Sequence, residues 1–278
     1  MRGIAPLLFL FAAGCVHGTH VEFPVQRLEL AEADSLLMPG DFLFRWVDAH
    51  DPLVSQVSGA IISGGEVTVQ ASSEAIHATE DVVRDLMQED RDRFAHALDE
   101  GDPNAVHVAI YLGGGESAEA FGTSLDDPRV RVWPLFADYR RPAAWRVLRH
   151  RDPAVRAAIA DVARRWASGR MGYAVPFDVF AQDASWGEHA RQSAWAFARA
   201  YDVEGGPPEV SQMFCSQFAV AVLQSAMTHV RFPHAAAAAD LDALPVEARL
   251  DASASPLRVF GEWAQSGEFE PIAHVMIE

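Results

Sequence analysis

The stretch of sequence that decides the fold runs from residue 106 to residue 121 and reads Val-His-Val-Ala-Ile-Tyr-Leu-Gly-Gly-Gly-Glu-Ser-Ala-Glu-Ala-Phe. Every second residue up to Leu112 is a large apolar one, which predicts a β-strand with one wholly apolar face. His107 lies on the other face. The glycines at 113–115 predict a turn into a second, antiparallel strand. The stretch therefore predicts a β-hairpin with a histidine on its less apolar face.

The register of this hairpin decides which polar side chains share a face with His107. If the three glycines form a three-residue turn, the pairing places Ala109 opposite Glu119. Glu119 is then diagonal to His107 on the same face, within reach of a long side chain, whereas Glu116 falls on the opposite face. A turn one residue longer or shorter would exchange the two faces.

The rest of the chain predicts strands first and helices afterwards, a pattern typical of the α+β class. We expect a mainly antiparallel sheet packed against helices. Further strands are predicted at 42–46, after the turn signal Pro39-Gly40-Asp41, and at 129–135, 145–148 and, as an edge strand, 271–277. Helices are predicted from the N-cap Asp152 to about Gly169, over 188–201, from a candidate N-cap at Ser211 onward, and from Ser255-Pro256 to about Gly267.

Cys215 lies near the start of the third predicted helix, where the positive end of the helix dipole favours a thiolate. A free cysteine among apolar residues is more often a small core residue. His107 changes this balance, because a helix packed on its face of the sheet could present the thiol to it. Glu119 could then orient the imidazole, which makes the three residues a candidate set for nucleophilic catalysis.

Composition limits the other functions. The 278 residues are 50% hydrophobic, enough to bury a sizeable core. The 39 acidic residues outnumber the 22 basic ones and give a net charge of −17, which disfavours binding to nucleic acid. The 2 cysteines are too few for a disulfide framework or for a cysteine-based zinc site. We expect no metal and no cofactor.

The N-terminus resembles a bacterial lipoprotein signal. Arg2 precedes an apolar stretch over 4–13 that is too short to span a bilayer, and small residues then lead directly into Cys15. The resemblance implies cleavage of residues 1–14, a lipid on Cys15 that attaches the protein to the membrane, and a tether over 15–34. The expected location is the cell envelope, at the periplasmic face of the outer membrane.

Four motifs, in this order, resemble one family of enzymes. They are Pro-Gly-Asp-Phe-Leu-Phe-Arg at 39–45, His-Val-Ala-Ile-Tyr-Leu-Gly-Gly-Gly at 107–115, Glu-Ala at 119–120 and Phe-Cys-Ser-Gln-Phe at 214–218. The set is similar to the circularly permuted, papain-fold branch of the NlpC-like cysteine hydrolases, the YiiX-like group. The resemblance implies a permuted papain-like catalytic domain over 35–278. It makes Cys215 the nucleophile, His107 the base and Glu119 the third member.

Three more residues are expected at this site. Backbone N–H groups around Cys215 and Ser216 would stabilise an oxyanion. The segment 171–178, with Tyr173, is similar to one that leads to the substrate side of these enzymes. Asp41 is a further polar candidate, although an aspartate after a glycine also suits a turn. The sequence departs from the family at Ala109, at Gln217 and in a long insertion at about 47–105.

Three functions compete at this point. The first is a cysteine amidase or peptidase of the envelope that acts through an acyl-enzyme on cell-wall peptides or N-acyl amides. The second is a lipid-directed thiol acyltransferase or deacylase, as some related permuted enzymes act on lipids. The third is an envelope lipoprotein that binds a ligand without catalysis. The oligomeric state is not predicted.

Overall fold

The computed structural model describes residues 25–28, 30–46, 105–121, 129–135, 143–169, 171–173, 196–208, 210, 212–231 and 256–277. The predicted signal peptide, Cys15, nearly all of the 47–105 insertion and most of the predicted helix 188–201 lie outside these residues. The elements are β1 (Val25–Leu28), α1 (Leu30–Leu36), β2 (Phe42–Trp46), β3 (Ala105–Gly113), β4 (Glu116–Phe121), β5 (Arg129–Pro134), β6 (Ala143–His150), α2 (Pro153–Ala167), β7 (Gly172–Tyr173), β8 (Gln212–Met213), α3 (Cys215–Arg231), α4 (Pro256–Gln265) and β9 (Phe269–Ile277).

One sheet organises the described part of the chain. Its strand order is β1-β9-β6-β2-β3-β4-β5-β7-β8. All neighbours from β9 to β7 are antiparallel, and the pairs at the two ends, β1 with β9 and β7 with β8, are parallel. The predicted α+β class with a mainly antiparallel sheet is confirmed.

The β3–β4 hairpin has the predicted register. Ile110 lies opposite Ala118 and Tyr111 lies opposite Ser117, which continues the pairing that places Ala109 against Glu119. The turn is tighter than the three residues predicted, because Gly113 already pairs with Glu116 after a register shift. All three glycines have positive φ angles, which residues with a Cβ adopt rarely.

The two faces of the sheet carry two layers of core. Phe44, Val108 and Ile110 belong to the large cluster that also contains the buried residues of α2, α3 and α4. Leu43 and Ala109 point to the other face and pack with Ala33 of α1. The helix that carries Cys215 therefore covers the apolar face of β3, and the expectation that it packs on the face of His107 is wrong.

Three predictions about individual segments also differ from the structure. The sequence predicts a tether over 15–34, but β1 pairs with β9, and Asp34 of α1 accepts hydrogen bonds from the Tyr111 hydroxyl and the Gly115 N–H. Strand β9 is not an edge strand, because β1 covers its free side. The third helix begins at Cys215 rather than after Ser211, since Gln212–Met213 pairs with β7 as a strand.

The predicted start of α2 is confirmed. The Asp152 side chain is the N-cap and accepts a hydrogen bond from the Ala154 N–H at 2.8 Å, and Pro153 follows at the first helical position. Among the helices of the described ranges, none is long and apolar enough to cross a membrane.

Candidate active site

The thiol of Cys215 lies at the first residue of α3. Strand β8 runs into the helix, and the first bond of the helical pattern runs from the Phe218 N–H to the Phe214 carbonyl at 2.9 Å. The N–H groups of Cys215 and Ser216 therefore have no carbonyl partner within the helix. Cys215 itself is 2% exposed. A buried thiol thus lies beside backbone donors that can stabilise an anion.

His107 and Glu119 are hydrogen-bonded on the shared face that the register predicts. The His107 Nε2 lies 3.0 Å from the Glu119 Oε2. Both residues are buried, with exposures of 7% and 3%. The edge of the imidazole also meets the Trp145 ring, whose centroid is 6.4 Å away. The strand pairing and this packing hold the imidazole between apolar neighbours and one carboxylate.

The imidazole joins the carboxylate to the thiol. Burial works to lower the pKa of His107, but the charge of Cys215 and a hydrogen bond to it, followed by the hydrogen bond and charge of Glu119, raise that pKa from 6.5 to about 9. Because Nε2 is bonded to Glu119, the hydrogen bond with Cys215 belongs to Nδ1. The structure thus brings the three predicted residues together, in the order thiol, imidazole, carboxylate.

The thiol reaches His107 although α3 packs on the opposite face of the sheet. Residue 107 is two residues from the start of β3, and Cys215 is the first residue of α3, so both lie at the ends of their elements. Strand β2 ends and β3 begins at this same end of the sheet, because Trp46 pairs with Ala105. Strand β4 ends and β5 begins there too, because Phe121 pairs with Arg129. Four strand ends therefore lie at the end of the sheet that holds the candidate site.

Ser117 is a member of the site that the motifs of the sequence do not single out. Its hydroxyl donates a hydrogen bond of 2.5 Å to Oε1 of Glu119, and the residue is 0% exposed. The predicted register contains the signal that could have found it. Residues two apart on a strand share a face, so Ser117 had to lie beside Glu119.

Two other predicted residues lie next to Cys215 in the structure. Ser216 follows it in α3 and is buried, and its Oγ has no hydrogen-bond partner among the described residues. The backbone of Tyr173 pairs with Met213, two residues before Cys215. The proximity predicted for both residues is therefore reproduced by the backbone.

Asp41 does not belong to the site. Its carboxylate forms a buried ion pair with Arg149, with a shortest distance of 2.7 Å, and accepts a hydrogen bond from the Met38 N–H. The Asp41 carbonyl accepts a hydrogen bond from the Tyr111 N–H. Tyr111 lies four residues along β3 from His107, or about 13 Å. Asp41 is a turn and core residue, and its inclusion in the site is wrong.

Two arginines are the direct cross-strand neighbours of the pair. Arg45 of β2 lies opposite His107, and Arg131 of β5 lies opposite Glu119. Both are partly exposed. The guanidinium of Arg131 stacks on the Trp133 ring, 3.5 Å from its centroid. Positive side chains therefore flank this face of the sheet on both sides.

Within the described ranges, no group of three His, Cys, Asp or Glu side chains could hold a metal ion. Comparison of the chain with protein-family models, with curated protein sequences and with solved structures finds no match. Cys15 lies outside the described residues, and its lipidation stays a prediction that incorporation of labelled palmitate into the wild type, but not into Cys15→Ser, would test.

Proposed function

We propose that this protein is a cysteine hydrolase of the amidase or peptidase type, with Cys215 as nucleophile, His107 as acid and base, and Glu119 as the residue that orients the imidazole. The observation that carries the proposal is the buried chain of contacts from Cys215 through His107 to Glu119. Buried charged groups lower the stability of a fold unless each of them has a partner. Groups with strongly shifted pKa values cluster at functional sites.

The raised pKa of His107 favours the imidazolium form below about pH 9. An imidazolium hydrogen-bonded to Cys215 favours the thiolate as the attacking form of the sulfur. The thiolate attacks the carbonyl carbon of an amide, and the electron pair of the C=O bond moves to the oxygen. The N–H groups of Cys215 and Ser216, which have no carbonyl partner within the helix, can stabilise this oxyanion.

Collapse of the tetrahedral adduct breaks the C–N bond, and the His107 imidazolium gives its proton to the departing nitrogen. The product is an amine and a thioester on Cys215. Neutral His107 then takes a proton from water, whose oxygen attacks the thioester carbonyl. The C–S bond breaks, the carboxylic acid leaves, and the proton on His107 restores the thiolate–imidazolium pair.

The substrate class and the fold family rest on the sequence. The ordered motifs at 39–45, 107–115, 119–120 and 214–218 support a permuted papain-like fold, and the signal before Cys15 supports a place in the cell envelope. An amide hydrolase there would act on cell-wall peptides or on N-acyl amides. Transfer of the acyl group between lipids is the competing chemistry for the same thiol.

An activity-based thiol probe tests the nucleophile. In a Cys15→Ser background Cys215 is the one remaining cysteine of the chain, so we expect labelling that disappears in Cys215→Ala. Circular dichroism of both proteins serves as the folding control. Equal labelling of the two would contradict the proposal. Incubation with muropeptides, N-acyl amides and phospholipids then separates peptidase, amidase and lipid acyltransferase, and turnover of none of them by a labelled enzyme would exclude all three.

A further inference from the structure

We propose that Ser117 is a positioning residue for the Cys215–His107–Glu119 set, acting through Glu119 rather than on the substrate. The inference rests on the proposed function for its purpose, but on independent contacts for its geometry. Ser117 and Glu119 are two residues apart on β4, so their side chains lie on the same face of the sheet.

The two oxygens of the Glu119 carboxylate have different partners. Oε1 accepts the hydrogen bond from Ser117 at 2.5 Å, and Oε2 lies 3.0 Å from Nε2 of His107. A carboxylate held at both oxygens cannot rotate about its last torsion without breaking a bond. The plane that Glu119 offers to the imidazole is therefore fixed by Ser117.

Ser117 suits this role because its side chain is short and its position is fixed by burial and by strand pairing. It is 0% exposed, and its backbone pairs with Tyr111 on one side and with Trp133 on the other. A serine has a single side-chain torsion to order, so holding the hydroxyl on Glu119 costs little entropy. The orientation of Glu119 sets the direction of the His107 ring, and hence whether Nδ1 faces the thiol.

The test compares Ser117→Ala with two matched variants. Ser117→Thr keeps the hydroxyl, and Ser225→Ala removes a hydroxyl from a residue of α3 that is also 0% exposed. Ser225 lies ten residues from Cys215, or about 15 Å along the helix. The readouts are the rate at which iodoacetamide alkylates Cys215 at pH 7, in a Cys15→Ser background, and the NMR signal of the His107 Nε2–H proton.

We expect Ser117→Ala to slow alkylation about tenfold, the size of one hydrogen bond to a charged group. It should also broaden the downfield Nε2–H signal, because the bond to Glu119 loses its fixed geometry. Ser117→Thr should restore both readouts, and Ser225→Ala should change neither. If Ser117→Ala lowers only the thermal stability, while the signal and the alkylation rate stay as in the wild type, Ser117 is structural and the inference is overturned.

These readouts do not depend on turnover. If the protein hydrolyses none of the substrates tested, yet Ser117→Ala still disturbs the Nε2–H signal and the thiol, the positioning role stands and the hydrolase proposal fails. If Cys215→Ala abolishes hydrolysis and Ser117→Ala leaves the imidazole signal unchanged, the hydrolase proposal stands and the positioning role of Ser117 fails.

Discussion

At the scale of single residues, the core of this protein contains a row of polar side chains that only mutual contact makes tolerable. A chain of hydrogen bonds runs from Ser117 to Glu119 and on to His107. Each of these residues is less than 10% exposed. Burial of any one of these side chains without a hydrogen-bond partner would lower the free energy of unfolding. Burial works to lower the pKa of His107, but Cys215 first and Glu119 second raise it.

The titration of His107 should report each partner separately. In the wild type we expect the imidazole to be half-protonated near pH 9. Cys215→Ala should lower this pKa more than Glu119→Gln does, because Cys215 supplies the two strongest influences that raise it. NMR titration of the His107 ring signals measures the shift. His150, whose pKa burial lowers, is the internal control and should keep its own titration in both variants. An unchanged His107 midpoint in both variants would contradict the contacts described.

The sequence could predict that Glu119 lies beside His107, because strand periodicity sets the face and the register shift at Gly113 keeps the pairing although the turn is tighter than predicted. It could not predict how Cys215 reaches His107, because the helix that begins at Cys215 packs on the opposite face of β3. It could not predict that Asp41 lies outside the site. The partner of Asp41 is Arg149, which is 108 residues away, and no local pattern signals such a pair. Ser117 follows from the same register as Glu119, because residues two apart on a strand share a face.

At the scale of elements, the turn before β2 fixes how this strand meets β3 and α2. The Gly40 N–H donates to the Tyr111 carbonyl at 2.8 Å. Gly40 has a φ of +91°, and a Cβ there would lie 2.2 Å from the Arg156 carbonyl oxygen in α2. The turn therefore needs both the left-handed backbone of glycine and the absence of a side chain.

Gly40→Ala should lower the free energy of unfolding by about 3 kcal/mol or more, because left-handed strain of about 1–2 kcal/mol adds to an overlap with backbone. Gly114→Ala is the matched control. Gly114 has a φ of +64°, and a Cβ there would meet no atom within 4 Å, so the strain alone should cost about 1 kcal/mol. Urea denaturation of both variants measures the difference. Equal losses would show that α2 does not press on this turn.

The element boundaries show where local patterns fail. The N-cap of α2 was predictable, because Asp152 and Pro153 signal it within two residues. The start of α3 was not, because the pairing of Gln212–Met213 with β7 overrides the capping preference of Ser211. Strand β1 has only four residues and exists through its parallel pairing with β9, at the far end of the chain.

At the scale of the whole molecule, the sheet joins the two ends of the described chain and separates two layers of core. Periodicity could predict an α+β architecture, since strands and helices differ in their repeat. It could not predict which face the helices cover, because both faces of β3 are buried. The sheet also carries two buried histidines, His107 on β3 and His150 at the end of β6, whose ionisation affects the stability of the entire fold.

The two histidines should give the free energy of unfolding opposite dependences on pH. The folded pKa of His107 is raised above 6.5 to about 9, so its contribution to stability is complete below pH 6.5 and is lost as the pH rises through about 9. Burial lowers the pKa of His150 from 6.5, and its Nδ1 accepts the Asp152 N–H at 3.1 Å in the neutral form. Its contribution is present above pH 6.5 and is lost as the pH falls through the lowered pKa.

Together these two groups should place a maximum of stability near pH 6.5. Urea denaturation of the wild type at pH 5, 6.5 and 9.5 measures both sides of the maximum. His107→Gln should flatten the alkaline side and leave the acid side unchanged, because glutamine carries no proton that the folded site retains up to about pH 9. His150→Gln should flatten only the acid side. If the wild type and both variants lose stability in parallel across this range, neither histidine has the ionisation state that its contacts in the fold imply.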